Sequence, residues 1–572
     1  LNGVKVNEAS IVSADGNIVL PSDGRLFQWE DFRFDILDAN YKVQKTGERA
    51  DGIVILDTDK TQLFAVVPEF WQQYPKGIVA REDGMSIELF PELDSPEPGR
   101  YAGRENEHIW YYYLRDDLYT MNEGVEKSHK IYLGFNEGNK EELLALTQLP
   151  VGLVALERVN TTEAIGKFVP PGTLFNDWDE TFKDGFNQYK KKQEELRWYG
   201  LLNWGDWHGE RVVNWGNLEY DSTASFFRQA LRFGEPDYFR QAVYSARHYI
   251  DVDTVSEHWN PGVVGQVWAH AIGHTGGYYE PGSFDVSNYD MSDDIFHTGR
   301  SSPGHTRAEG VFLMYVLTGD IRALEHGRKI GEHLMNEAVV RTGSYGTARE
   351  PGWAMVALTA AYDATGARVF LDAAEEIADK VLLKAAGKGV WHRRLEERNL
   401  APGYSEYFGE LSFPTAFQAA GMIRVYERTG REDIRQNIIV TGEYVLENLY
   451  DEMRGGFVHS PCPGRTQSTK LGGITGTNMW IPLIFAYRET RDLKFKEAIE
   501  YTWQETSARG LWFEDAFKDL GDTNVNTQSF SGAILFMPKM QSMIYEFADE
   551  IELVKEKKSV PLWRWVIDLF KK

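Results

Sequence analysis

The chain has 572 residues, 42% of them hydrophobic and 26% charged, which is enough for two or three domains with sizeable cores. A formal net charge of −25 repels phosphate backbones and argues against nucleic acid as a partner, so any anionic ligand must be met by locally placed Arg or Lys. The single cysteine, Cys462, excludes an intrachain disulfide and a cysteine-based metal cluster, and no window reaches the roughly 20 apolar residues of a membrane span.

Residues 1–165 read as strands. GIVILDTDKTQLFAVV, GMSIELFPEL, HIWYYYLRDDLY and HKIYLGFNEG are β-branched and aromatic runs between turn signals, as expected of an antiparallel β-sandwich domain. Residues 166–178, with Pro170, Pro171 and Gly172, read as a linker. The period then turns helical, and one pattern recurs over 179–555: an apolar helix, a short turn often reading TG or TGD, then an amphipathic helix. FFRQALRFGEPDYFRQAVYSARHYI, FLMYVLTGDIRALEHGRKIGEHL, VALTAAYDATGARVFLDAAEEIADKVL, AAGMIRVYERTGREDIRQNIIVTGEYVL and LIFAYRETRDLKFKEAIEYTWQ are five copies, and FSGAILFMPKMQSMIYEFA is a sixth apolar helix. A helix apolar all round is buried and a one-sided helix lies outside. The fold class expected is therefore α+β multidomain, a β-sandwich followed by an (α/α)6 toroid, with the helix near 179–197 as the remaining outer partner. The spacing of about 45 to 85 residues is too irregular for an open solenoid. The tail 556–572, KKSVPLWRWVIDLFKK at its end, is amphipathic and expected to dock on the protein's own surface.

The excess length lies in the segments that lead into the inner helices: WHGERVVNWGNLEYD, HTGRSSPGHTRAEG, GSYGTAREPG, PGYSEYFGELSFP, GRTQSTKLGGITGTN and DTNVNTQSFSG. All are polar and glycine-rich, and in a toroid their helix N-termini ring one mouth. That places one concave site there. His208, Glu210, Asp221, His274, Glu309 and Tyr404 are candidate catalytic groups, and Arg211, Glu219, Tyr278, His305, Arg307 and Arg349 are candidate binding groups. With 17 Trp and 28 Tyr in the chain, Trp204, Trp207 and Trp215 are candidate stacking platforms for sugar rings. Each has a bland alternative: Asp221 can merely cap a helix, Glu309 can pair with Arg307 at the surface, and the aromatics can be core. Seven His stand between His208 and His305, but there is no HExxH, and Gly273, Gly276 and Gly277 argue against a helix carrying His270 and His274 on one face. No metal and no cofactor is expected.

WGDWHGER, NWGNLEYD, GHTGGYY and GHTRAEG followed by a TGD turn resemble uronide-processing carbohydrate-active enzymes. FWQQYPKGIVAREDGMSIELFP and EGVEKSHKIYLGF look like the β-sandwich of the exo-rhamnogalacturonan lyases of polysaccharide lyase family 26, and the whole arrangement also looks like the β-glucuronidases of glycoside hydrolase family 154. Those lyases carry an extra N-terminal β-domain for which this chain has no room.

The resemblance implies an exo-acting enzyme on a uronic-acid-containing oligo- or polysaccharide, secreted or periplasmic, with a homo-oligomer left open. The expected reaction is hydrolysis, with a lyase as the alternative and a glycan-binding protein as the second alternative: a glycosidase releasing terminal glucuronic acid needs an acid and a second carboxylate, for which Glu309, held protonated by burial, and Glu210 are the expectation. A lyase needs a base for the C5 proton, a proton donor and a cation, for which His208, His274, Tyr404 and Arg211 stand. A non-catalytic glycan-binding protein needs only the aromatics.

Overall fold

The computed structural model describes residues 5–553 except 14–15, 93–108, 111–113, 116–117, 120, 136–138, 210–213, 271–273, 275–301, 342–344, 466, 468, 514–515 and 518–525. Glu210, Arg211, Tyr278 and the tail therefore lie outside the described residues. No helix among the described residues is long and apolar enough to cross a membrane.

The N-terminal part holds two five-stranded antiparallel sheets. The first comprises β1 (Val6–Ser13), β2 (Gly16–Val19), β6 (Ala50–Thr58), β7 (Gln62–Val66) and β12 (Tyr132–Phe135), in the order β12-β7-β6-β1-β2. The second comprises β3 (Arg25–Glu30), β4 (Arg33–Leu37), β5 (Val43–Gly47), β8 (Lys76–Arg81) and β9 (Gly84–Glu88), in the order β5-β4-β3-β8-β9. Successive side chains on a strand point to opposite faces, and that alternation gives each sheet two jobs. Ile11, Val54 and Leu56 of the first sheet meet Leu26, Phe34 and Ile36 of the second in one core, which makes the pair a β-sandwich. On the outer face of the first sheet, Val12, Ile53 and Val66 are covered by Leu143 of α1 (Lys140–Leu146). On the outer face of the second, Phe27 and Trp29 pack with Tyr74, Trp110, Tyr199 and Trp204. This aromatic layer seats the sandwich on the helical part, and Arg197 fastens it with ion pairs to Glu30 (2.6 Å) and Asp31 (2.8 Å).

Among its described residues HIWYYYLRDDLY contributes the two-residue strands β10 (Leu114–Arg115) and β11 (Leu118–Tyr119). The strands end at Phe135, and α1 and α2 (Leu156–Thr162) occupy part of the stretch before the linker.

From Asn176 onward the chain is helical. Helix α3 is Asn176–Glu195, two residues ahead of the sequence expectation at each end or more. Then come the pairs α4 (Ser222–Phe233) with α5 (Pro236–His248), α6 (Glu309–Thr318) with α7 (Ile321–Arg341), α8 (Arg349–Thr365) with α9 (Arg368–Ala385), α10 (Ser412–Thr429) with α11 (Glu432–Tyr444), and α12 (Trp480–Thr490) with α13 (Leu493–Arg509). The TG turns are helix stops: Gly319 and Gly366 take φ of 73° and 68°, a conformation that satisfies the last carbonyls and suits glycine. The sixth inner helix is not continuous. It breaks into α14 (Gln528–Ile534) and α15 (Met537–Ile544), because Pro538 cannot donate to a carbonyl one turn back and sits instead in the first turn of a new helix.

Among the described residues the inner helices pack in a cycle: α4 on α6, α6 on α8, α8 on α10, α10 on α12, α12 on α15, and α15 on α4. The closing contact is pinned by Ser225 Oγ, which donates to the Ile534 carbonyl (3.0 Å), and by Gln229 Nε2, which donates to Gln541 Oε1 (3.1 Å). The tightest approach is α8 on α10, where a Cβ at Gly352 would stand 2.5 Å from the Phe417 carbonyl carbon.

Candidate functional site

The segment leading into α4 supplies the first wall of the site. His208 and Trp215 pair as an antiparallel bridge, and the Gly209 N–H donates to the Asn214 carbonyl (2.9 Å), which holds the two described ends of this lead-in side by side. Next come four residues with left-handed backbone, Asn217 (φ 44°), Leu218 (50°), Tyr220 (68°) and Asp221 (49°). None is glycine, and such residues cost on the order of 1 kcal/mol each. The strained run turns Glu219 inward, where it is 1% exposed.

Three other lead-in groups converge on Glu219. Arg307 Nη2 lies 2.5 Å from its Oε1, Arg349 Nη2 pairs with the same oxygen, and His305 Nδ1 lies 3.1 Å from Oε2. Burial alone would raise the Glu219 pKa, but Arg307, His305 and Arg349 overcome it and hold the carboxyl well below its usual range. Burial first, then Arg349, push His305 down to about 4 against the opposing pull of Glu219, so the imidazole is neutral near pH 7. The His270 ring lies 4.9 Å from that of His305 and meets the Asn214 amide at 3.1 Å. Arg307 stacks 4.7 Å over Trp353, and its Nε and Nη1 have no hydrogen-bond partner among the described residues. The lead-ins are stitched together: Arg349 Nε donates to the Gly304 carbonyl (2.9 Å), the Ala348 N–H to Glu410 (2.8 Å), and Thr527 Oγ1 to the His208 carbonyl (2.8 Å). Glu219, His270 and His305 could each offer one donor atom to a metal. Two guanidiniums on the same carboxylate leave one net positive charge, which suits an anion rather than a cation.

Glu309 does not join this group. It points into the ring, where Arg228 (2.8 Å) and Arg424 bind its Oε1. The expectation of a protonated Glu309 is corrected: burial raises the carboxyl, but the two guanidiniums overcome it and hold Glu309 far below the carboxylate range. Its ion-pair partners are Arg228 and Arg424, while Arg307 goes to Glu219. Beside it, Asp221 caps α4 through Ala224 N (3.2 Å) and also accepts from Gly310 N (3.2 Å), and burial followed by the charge of Glu309 raises it to about 6. Asp221, Arg228, Glu309, Arg424 and Trp353 line a cavity of about 40 Å³, whereas small-molecule sites run to roughly 300–1,000 Å³.

The proposed stacking platforms are core. Trp207 and Trp215 are fully buried in the helical core and offer no face to a sugar, and Trp204 lies in the aromatic layer under the sandwich, away from the Glu219 group. His208 is buried with its ring 5.3 Å from Trp215. His274 is fully buried, 3.4 Å from Asp206. Tyr404 is 44% exposed and packs edge-on against Tyr407. Two residues escaped the sequence reading. Tyr220 places its ring 5.9 and 6.0 Å from the guanidinium carbons of Arg307 and Arg349, and Glu410 is buried against Arg393 (2.9 Å). Both stand in quoted lead-ins, beside residues chosen for their charge.

No family model and no curated protein matches the chain. Among solved structures it is similar to a glycosyl hydrolase family 88 protein from Bacteroides vulgatus (12% identity, TM-score 0.42, over 64% of this chain and 98% of that one). It is similar to a polysaccharide lyase (13%, 0.41, over 66% and 99%) and to the cellobiose 2-epimerase from Bacillus thermoamylovorans (10%, 0.40, over 64% and 100%). At these scores the likeness bears on neither reaction nor substrate.

Proposed function

We propose that the protein is a carbohydrate-active enzyme with an (α/α)6 toroid, acting from the end of an anionic glycan on a terminal uronic acid, and that it cleaves by β-elimination. The observation that carries this reading is the neutral His305 held by an ionised Glu219 between two guanidiniums. Glu219 accepts Nδ1–H and so leaves the Nε2 lone pair facing outward, the orienting role a carboxylate plays for a histidine base. The uronate carboxylate binds at Arg349 and Arg307, which neutralise it and make the C5 proton more acidic. His305 takes that proton, the C4=C5 bond forms, and the C4–O bond to the departing sugar breaks. The leaving oxygen collects a proton, for which Tyr220 is the candidate donor. A secreted or periplasmic location goes with such a substrate.

Hydrolysis is the second reading. What favours it is that the two neighbouring carboxyls are pushed apart, Asp221 up to about 6 and Glu309 far below the carboxylate range, the pattern of an acid and base pair. The cavity they line has no room for a sugar ring, which sets elimination ahead. The test is the product formed from a glucuronide-terminated oligosaccharide. A 4,5-unsaturated uronate absorbing in the ultraviolet, lost in His305→Gln, supports elimination. Saturated glucuronic acid, with His305→Gln still active, refutes it.

A further inference from the structure

A second cluster lies apart from the groups assigned to the reaction. Asp206 comes from the lead-in of α4, His248 from the end of α5, Asp253 from just beyond it, and His274 from the segment that runs toward α6. All four side chains are fully buried. His248 and Asp253 are five apart, a spacing an α-helix would splay. The chain widens there into a π-turn over Tyr249–Asp253, which brings position 253 back over position 248.

The donor atoms face one another. Asp253 Oδ1 lies 3.2 Å from His248 Nε2 and 3.7 Å from His274 Nδ1, and Asp206 Oδ2 lies 3.8 and 3.4 Å from the same two nitrogens. Asp206, His248 and His274 bring one donor atom each within 4.8 Å of one another, with Asp253 on the two imidazoles, and four donors about 2.1 Å from a tetrahedral ion would stand about 3.4 Å apart. Among the described residues neither Asp253 oxygen has a well-aligned hydrogen-bond partner, nor has His248 Nε2, although all are buried. Burying the Asp253 carboxylate and the His248 imidazole without closing their hydrogen bonds costs several kcal/mol, so a missing partner is implied.

We propose that Asp206, His248, Asp253 and His274 bind one Zn2+ ion as a closed tetrahedral structural site. Two imidazole nitrogens and two carboxylate oxygens suit zinc, whereas Ca2+ takes six to eight oxygens. Two carboxylates cancel the ion's charge. The ligands are already braced from behind: His274 Nε2 lies 3.1 Å from Asn203 Oδ1 while its Nδ1, 3.2 Å from Asn217 Oδ1, faces the two carboxylates, and Asp206 accepts from Asn217 N (2.9 Å) and Leu218 N (3.2 Å). The ion would tie the lead-in that carries Glu219 to the end of α5 and to the segment that carries His270.

The experiment is metal analysis of the full chain, purified without chelator. The expected result is about one zinc per chain, a melting temperature that a strong chelator lowers and Zn2+ restores, and a tetrahedral visible spectrum after Co2+ exchange. Asp253→Asn should lose most of the zinc. Should that variant fail to fold, the chelator and Co2+ arms on the wild type decide alone. Substoichiometric zinc with a melting temperature indifferent to chelator and to added Zn2+ overturns the proposal, as does full zinc retention in Asp253→Asn.

Discussion

Nδ1 of His305 lies 3.1 Å from Oε2 of Glu219, although 86 residues separate the two in the chain. The carboxylate fixes the tautomer, and burial with Arg349 keeps the ring neutral. His305→Gln should therefore lower kcat by about 10² to 10⁴ with little change in KM, the usual contribution of a positioned base. Initial rates from the ultraviolet absorbance of the product measure it. A variant within twofold of wild type would remove His305 from the reaction.

Arg349 is 14% exposed while Arg307 is 1% exposed, so Arg349 meets the substrate first. Arg349→Lys keeps the charge but loses the planar fork, and KM for a uronide should rise about tenfold or more. The neutral, reduced sugar should bind the wild type and Arg349→Lys alike, which separates carboxylate recognition from general damage.

Glu309→Gln leaves Arg228 and Arg424 without their shared carboxylate. Breaking a mostly buried ion pair by removing one partner should cost about 3 kcal/mol, read as a lower urea midpoint. Elimination predicts that the folded variant retains its turnover. Loss of kcat in a fully folded Glu309→Gln protein would favour hydrolysis.

Asp221 has a sign that can be checked. Its folded pKa of about 6 lies above its ordinary 3.8, so the protonated group contributes stability that is full below about pH 4 and is lost as pH rises through about 6. Glu309 runs the other way: its depressed pKa gives stability above about 4.5 that is lost on acidification. Asp221→Asn should be less stable at all pH values, because an amide N–H2 then faces the Gly310 N–H, yet its unfolding free energy should be flatter than wild type across the interval around pH 6. A wild-type curve without that fall would show that Asp221 titrates normally.

Gly352→Ala puts a methyl group 2.5 Å from the Phe417 carbonyl carbon and forces α8 away from α10. Overpacking of this kind should cost about 1 to 3 kcal/mol, and since both N-termini feed the mouth, it should also lower kcat. Equal stability of variant and parent by urea denaturation would mean that the two helices are looser than their spacing indicates.

The helices were legible because their apolar period and glycine stops are local properties. The lead-ins were legible because polar, glycine-rich length inside a compact chain has little structural use. That was enough to bring forward Glu219, His305, Arg307 and Arg349. Glu309 was misread because what sets its ionisation, Arg228 and Arg424, sits 81 and 115 residues away, and no local pattern reports that. Trp207 and Trp215 were misread because an indole in a polar loop looks exposed until the loop folds back on its own helix. The grouping of His274 with Asp206, His248 and Asp253 was not legible for a third reason: the four come from three segments, and metal motifs are recognised by spacing within one.

The cycle of inner helices has a consequence for how the chain is made. Helix α4 rests on α15, and Ser225 Oγ reaches the carbonyl of Ile534, 309 residues later. At roughly 5–20 residues per second, the ribosome exposes the first inner helix for about 15 to 60 seconds before its last neighbour exists. Each new hairpin can dock on the one before, but the seam stays open until the final turn emerges, with the apolar flank of α4 bare to other chains. A premature stop ahead of Gln528 would remove α14 and α15 and leave that seam unclosed, so the first inner helix to be built is among the last to be sheltered.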